Sequence, residues 1–247
     1  MLISPEIIVV DDAQAMARLA GRRVRRSAAM ALSARGTWRI ALAGGNTPRA
    51  LYQELAESSA AADRIEWSRS MLYFGDERTV PPDHQDSNYR MVRDTLLARI
   101  VIPAANVHRM EGEAADLDAA AARYADALGD APLDLAILGM GADGHTASLF
   151  PGTTAVAERQ RRCVAVQVPR LSTSRLTLTY PVFEAAREVF FLIAGEDKAA
   201  TLKAAIEGPD RPDELPCQAI FRRQGPVAIF CDRGAAADLS TISRPPS

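Results

Sequence analysis

The sequence is poor in the residues and patterns that bind metals, nucleotides, membranes or nucleic acids. Its three histidines, His84, His108 and His145, share no metal-ligand spacing, and neither Cys-x-x-Cys nor His-x-x-x-His occurs, so no metal is expected. Cys163, Cys217 and Cys231 are odd in number, far apart and set in apolar or mixed segments. That excludes a disulfide framework and fits inert, buried thiols in a reducing compartment. The strongest apolar run, Val189 to Ala194, is too short to span a bilayer, and the N-terminal residues show no basic stretch followed by an apolar one. A cytoplasmic protein without a membrane partner is the expectation. A formal net charge of −2 gives no nucleic-acid groove and no acidic tail, so an anionic ligand has to be met by a local cluster of positive groups. Glycine- or serine-rich linkers and internal repeats are also missing. The 247 residues therefore read as a single domain, 1–247, whose tail after Asp238 is expected to fray.

What is present is an alternation of strand-type and helix-type segments. Strands are expected at Ile7–Val10, Trp38–Ala43, Met71–Phe74, Leu133–Leu138, Cys163–Val168, Leu176–Tyr180, Val189–Ala194 and Val227–Cys231. Several are apolar throughout rather than alternating, which is the pattern of strands buried on both faces. Helices are expected at Ala13–Ala34, stopped by Gly36, at Pro48–Ala61 with proline at its first position, at Ala114–Leu128, and at Asp197–Glu207, stopped by Gly208-Pro209. The order implies an α/β fold: a doubly wound, mainly parallel sheet with helices on both faces.

Two glycine-centred loops carry most of the chemistry. Leu42-Ala43-Gly44-Gly45-Asn46-Thr47-Pro48 and Leu138-Gly139-Met140-Gly141-Ala142-Asp143-Gly144-His145-Thr146 each close an apolar strand and are expected to open a helix, the geometry that aims backbone N–H groups at an anion. In the first, Gly44 and Gly45 let backbone approach a ligand, and Asn46 and Thr47 add side-chain donors; the competing reading is an ordinary strand-to-helix turn. It matches neither the dinucleotide pattern, since no third glycine stands at Ala50 or Leu51, nor the Walker pattern. In the second, His145 is the candidate general base and acid, because an imidazole titrates near neutral pH; a helix-capping histidine is the alternative. Asp143 can orient the ring, bind a substrate hydroxyl or cap a helix. The backbone of Gly139-x-Gly141 is a candidate donor to a developing oxyanion.

The segment Gly75 to Tyr89 is too polar and proline-rich for a sheet or helix, and leaves an apolar strand at its C-terminal end, so it reads as an active-site loop. Its Asp76, Glu77 and Arg78 put both signs of charge in one place, as hydroxyl and phosphate ligands or as a solvated ion pair. Arg175 is expected to open a strand. Lys198 falls in the first turn of a helix, against the helix dipole, a misfit explained if its ammonium meets an anion. Gly-x-Ser-x-Gly is absent, and Ser148 falls inside the helix expected after His145, so a hydrolytic reaction would use water directly.

Taken in order, these motifs closely resemble those of the 6-phosphogluconolactonases. The likeness is carried by Gly44-Gly45-Asn46-Thr47-Pro48, Gly75-Asp76-Glu77-Arg78 with Ser87-Asn88-Tyr89, Gly139 to Gly152, Ser174-Arg175-Leu176-Thr177-Leu178 and Gly195-Glu196-Asp197-Lys198-Ala199, and it spans about residues 40 to 232. The resemblance implies a Rossmann-like fold shared with glucosamine-6-phosphate deaminase. It also implies cofactor-free hydrolysis of 6-phospho-D-glucono-1,5-lactone, with His145 and Asp143 catalytic. Gly44, Gly45, Asn46, Thr47, Asp76, Arg78, Gly141, Arg175 and Lys198 would bind the substrate. The deaminase branch has a ring-opening glutamate five residues after the histidine, where this sequence has Phe150. A sugar-phosphate isomerase or deaminase and a non-catalytic sugar-phosphate sensor are the alternative readings. The sequence leaves the oligomeric state open.

Overall fold

The computed structural model describes residues 4–57 and 65–240. A six-stranded parallel sheet forms its centre, in the order β1-β9-β8-β5-β2-β3, built from β1 (Glu6–Val10), β2 (Trp38–Leu42), β3 (Ser70–Phe74), β5 (Leu135–Leu138), β8 (Glu188–Ile193) and β9 (Val227–Asp232). The continuous apolar runs are explained by the packing. Along β5, Leu135 and Ile137 enter one hydrophobic core while Ala136 and Leu138 enter a second on the opposite face. β8 divides in the same way, with Phe190 and Leu192 on one side and Val189, Phe191 and Ile193 on the other.

The first core is covered by α1 (Ala13–Arg35), α2 (Arg49–Glu57) and α3 (Asn88–Thr95). The buried face of α1 recurs at Met16, Ala20, Val24, Ala28 and Ala31, a spacing of three or four residues. Asp12 caps its start by accepting from the N–H of Ala15 at 2.7 Å, and Gly36 ends it at φ +77°. The opposite core is covered by α4 (Leu117–Leu128), α5 (Thr154–Ala157), α6 (Tyr180–Ala185), α7 (Ala199–Glu207) and α8 (Cys217–Phe221). The expected doubly wound arrangement is therefore the observed one.

Two expectations change. The strands at Cys163–Val168 (β6) and Thr173–Leu178 (β7) leave the parallel sheet and form an antiparallel one, β4-β7-β6. Its third strand is Asp76–Arg78 (β4), inside the segment read as too polar for a sheet. Polar β4 is stable there because Gly75 and Leu178 continue the ladder from the larger sheet, the N–H of Leu178 donating to Gly75 O at 2.8 Å. The same segment also starts α3, with Ser87 as N-cap. Second, no helix follows His145; the chain makes a tight turn, with Leu149 N–H donating to Thr146 O, and α5 starts eight residues beyond Thr146. At the C-terminal end of the described residues, Leu239 is buried and Ser240 is held by Glu207. The rest of the tail, and the end of the helix expected to reach Ala61, lie outside the described residues. None of the helices described is long and apolar enough to cross a membrane.

Candidate active site

The strand order explains why two distant loops meet. After β2 the chain moves outward to β3, whereas after β5 it moves the other way to β8, and β2 and β5 are neighbours. Connections diverging from adjacent strands leave a crevice at their C-terminal ends. A cleft of about 390 Å³ lies there, and Gly44, Gly45, Asn46, Thr47, Asp76, Arg78, Gly141, His145, Arg175 and Lys198 all line it. Asp143 reaches it through His145.

The first loop is fixed from below. The hydroxyl of Tyr52 donates to Ala43 O at 2.7 Å, and Arg49 N–H donates to Asn46 O at 3.2 Å as α2 begins. Its two glycines serve different ends. A Cβ on Gly44 would lie 1.8 Å from Oδ1 of Asn88, so this glycine makes room for a protein side chain. Gly45 holds φ +87° with open space where a Cβ would go, so its constraint is conformational and the cleft side stays clear.

Strand β4 splits the charged triplet between two faces. Asp76 and Arg78 line the cleft. Glu77, 2% exposed, turns away and accepts from the N–H groups of Arg78, Asn88 and Tyr89 at 2.7–2.8 Å and from Ser87 Oγ, capping α3. Burial raises its pKa against the lowering effect of those donors. Asp76 accepts from Ser148 Oγ at 2.6 Å and from Asn88 Nδ2 at 3.1 Å. Arg78 stands directly opposite Arg175 in the β4–β7 register. Burial, followed by the charge of Arg78, lowers the pKa of Arg175. Like charges placed opposite each other cost stability, and neither guanidinium makes an ion pair among the described residues. Arg175 lies inside β7 rather than at its start.

The second loop folds on itself. Gly141 N–H donates to His145 O at 2.9 Å and Gly144 N–H to Gly141 O at 3.0 Å. Of the Gly139–Gly141 backbone expected to serve an oxyanion, the N–H of Gly141 is therefore already engaged inside the loop. A Cβ on Gly141 would sit 2.0 Å from Nδ1 of His145, so this glycine admits the imidazole. Nδ1 lies 2.5 Å from Oδ1 of Asp143, and the ring stacks on Phe150 at 4.1 Å between centroids. Burial pushes the Asp143 carboxyl up, but hydrogen bonds from His145 and the charges of His145 and Arg170 outweigh it and bring the pKa down to about 2. Asp143 stays ionised at neutral pH, which suits holding the Nδ1 proton rather than donating one.

Lys198 ends a turn of 3₁₀ helix at the start of α7, and its Nζ lies 2.6 Å from Oδ2 of Asp197. The unfavourable placement against the helix dipole thus already has a protein counter-charge. Reading the sequence missed Arg170, which lines the cleft and forms an ion pair with Asp143. It stands in a Pro169–Leu171 turn that carries no local signature. The helix expected around Ser148 does not form, and in the turn that replaces it the Ser148 hydroxyl donates to Asp76. Among the described residues no group of three or more His, Cys, Asp or Glu is arranged to hold a metal ion.

Comparison with known proteins agrees with this architecture. Residues 11–229 match the model of the family described as glucosamine-6-phosphate isomerases/6-phosphogluconolactonase. The 6-phosphogluconolactonase of Mycobacterium tuberculosis is 40% identical over 250 residues, covering 96% of this chain and 99% of that protein. The structure of 6-phosphogluconolactonase from Trypanosoma cruzi superposes with a TM-score of 0.83 at 27% identity, covering 98% of this chain and 99% of the other. A monomeric glucosamine-6-phosphate deaminase shares the fold, with a TM-score of 0.81 at 21% identity over 94% of this chain and 99% of the other.

Proposed function

The chain belongs to the glucosamine-6-phosphate isomerase/6-phosphogluconolactonase family, and from that premise we propose that it hydrolyses 6-phospho-D-glucono-1,5-lactone to 6-phospho-D-gluconate in the oxidative pentose phosphate pathway. One arrangement carries the reading. Two guanidiniums face each other across β4 and β7 without a carboxylate partner among the described residues, on the same cleft as a histidine paired with an ionised aspartate. The first pair calls for an anion, and the second supplies a base.

In this reading the substrate phosphate lies against Arg78 and Arg175, with Lys198 and the Gly44–Thr47 loop completing the grip and Asp76 on a sugar hydroxyl. Binding energy remote from the reacting carbon then fixes the lactone carbonyl beside His145. Asp143 keeps a proton on Nδ1, so Nε2 takes a proton from water as its oxygen attacks C1. The bond from C1 to the ring oxygen breaks, and His145 returns the proton to that oxygen. The new carboxylic acid loses its own proton to solvent, which makes turnover visible as acid release. The ring-opening glutamate of the deaminase branch has no counterpart here, because Phe150 occupies that position and is stacked on His145. Burial pushes the thiols of Cys163, Cys217 and Cys231 up to about 12, and all three are unpaired, which supports placing the reaction in a reducing cytoplasm.

The test is proton release from freshly generated lactone, read against the spontaneous rate. Acceleration that saturates with substrate is the expected result. Ammonia from glucosamine 6-phosphate or aldose–ketose conversion would assign the other branch, and ligand binding with no turnover would make the protein a sensor.

A further inference from the structure

Asp143 has two oxygens, and the molecule treats them differently. Oδ1 faces His145, accepting from Nδ1 at 2.5 Å and from the backbone N–H at 3.3 Å. Both donors lie two residues away in a glycine-bounded loop, so this contact is local. Oδ2 has a distant partner: Arg170 of the Pro169–Leu171 turn between β6 and β7, whose Nη2 forms an ion pair with it. The guanidinium carbon of Arg170 also lies 4.8 Å from the centroid of Phe150, the ring against which His145 stacks. His145, Asp143, Arg170 and Phe150 therefore form a closed circuit, assembled from three parts of the sequence.

We propose that Arg170 is a positioning residue for the His145–Asp143 pair: it holds the outer oxygen of Asp143 while resting on Phe150, so that the carboxylate stays on Nδ1 and Nε2 is left as the open, unprotonated ring nitrogen. The physical reason is charge balance. A half-buried carboxylate facing a single imidazole stabilises the imidazolium, and a protonated His145 cannot accept a proton from water. A guanidinium on the far oxygen takes up part of that field, and its face, resting on Phe150, fixes it in a way a lysine would not. The remaining charged groups lining the cleft are Asp76, Arg78, Arg175 and Lys198, and Cys217 packs beneath the loop with its N–H on Gly144 O. Of these, Asp76 is tied to Ser148 and Asn88, and Lys198 to Asp197. Only Arg170 makes an ion pair with Asp143 besides His145 among the described residues.

The kinetic part of this inference rests on the lactonase reading; the titration part does not. The experiment is an NMR titration of ¹⁵N-labelled histidines in the wild type, Arg170→Met and Arg170→Lys, alongside the pH profile of lactone hydrolysis. In Arg170→Met the His145 midpoint should rise by about one pH unit, and the acid limb of kcat/KM should move with it. At neutral pH kcat should fall several-fold while KM stays within about twofold. Arg170→Lys should recover part of the shift. His84 and His108 serve as internal references, since general disruption would move them too. Arg170 is 49% exposed, so truncation leaves no cavity; if the methionine variant does not fold, Arg170→Gln supplies the same comparison. An unmoved His145 midpoint overturns the proposal, and so does a raised KM with an unmoved midpoint, which would put Arg170 on the substrate phosphate. A His145 midpoint that rises in Arg170→Met, in a protein that leaves the lactone at its spontaneous rate, would sink the functional reading and leave the positioning role standing.

Discussion

The two glycine loops that flank the cleft look alike in sequence and are built on opposite principles. The loop after β2 leads straight into α2, its Gly45 adopts a left-handed conformation, and the space beside it is clear. The loop after β5 spends its backbone on itself, through Gly141 N–H to His145 O and Gly144 N–H to Gly141 O, and opens no helix. Gly144 is also left-handed, but a Cβ there would come within 2.8 Å of Leu215. The first loop is thus shaped to receive something, and the second is packed to hold two side chains still. A glycine-rich turn after a buried strand says that a Cβ is unwelcome; what it makes room for is decided by the neighbours.

This contrast can be broken by substitution. The largest effect belongs to the second loop: His145→Asn should lower kcat by roughly 10²- to 10⁴-fold with little change in KM, measured on fresh lactone with the spontaneous rate subtracted. Activity within a few-fold of wild type would remove the imidazole from the chemistry. Next come the glycines themselves. Gly141→Ala pushes a methyl to 2.0 Å from Nδ1, and a displaced base should cost about 10²-fold in kcat. Gly45→Ala meets no atom and pays only for its φ of +87°, about 1–2 kcal/mol of stability by denaturant titration, with KM affected more than kcat. If the two alanine variants lose kcat equally, the distinction between a receiving loop and a holding loop is wrong.

The charged strand pair gives a smaller and sharper test. Arg78→Ala should raise KM for the phosphorylated lactone by about tenfold or more, the value of a charge-assisted hydrogen bond, and should barely change it for the unphosphorylated one. Without ligand, the melting temperature should stay level or rise, because the repulsion across β4 and β7 is relieved. Equal losses on both lactones would show that Arg78 does not read the phosphate.

The smallest effect is on stability against pH. Asp143 titrates at about 2 in the folded protein against 3.8 for the free side chain, so its contribution is fully present above pH 4 and is lost as pH falls through 2. Comparing wild type with Asp143→Asn in urea at pH 5, 4 and 3 should give a gap of roughly 1 kcal/mol that closes towards acid, discounted from the full shift because the side chain is partly solvated. A gap that widens towards acid would contradict the His145 and Arg170 contacts.

Much of the architecture was legible because it depends on local chemistry. Apolar runs such as Val189–Ala194 mark doubly buried strands whatever surrounds them, and Gly36 sets the end of α1 within a residue. The antiparallel sheet was not legible. Asp76-Glu77-Arg78 has no apolar face, and it is a strand only because Gly75 hands the chain from one sheet to the other and Glu77 is satisfied by the N–H of Arg78 and by two N–H groups at the start of α3. The roles of Asn88, Ser148 and Arg170 were hidden for the same reason, since each acts on a residue more than twenty-five positions away or across a turn with no sequence signature, except for Asn88, which reaches Asp76 twelve positions back.

By itself, then, the sequence determined which segments are buried, where helices stop, and which residue types can carry acid–base and anion chemistry, because periodicity, proline, glycine and side-chain pKa act within a few residues. The tertiary structure alone decided which oxygen of Asp143 faces His145, which of Asp76 and Glu77 sees the cleft, and that Arg78 and Arg175 stand opposed. Those outcomes depend on strand register and on the order β5-β2 at the centre of the sheet, and both are set by contacts between segments some hundred residues apart.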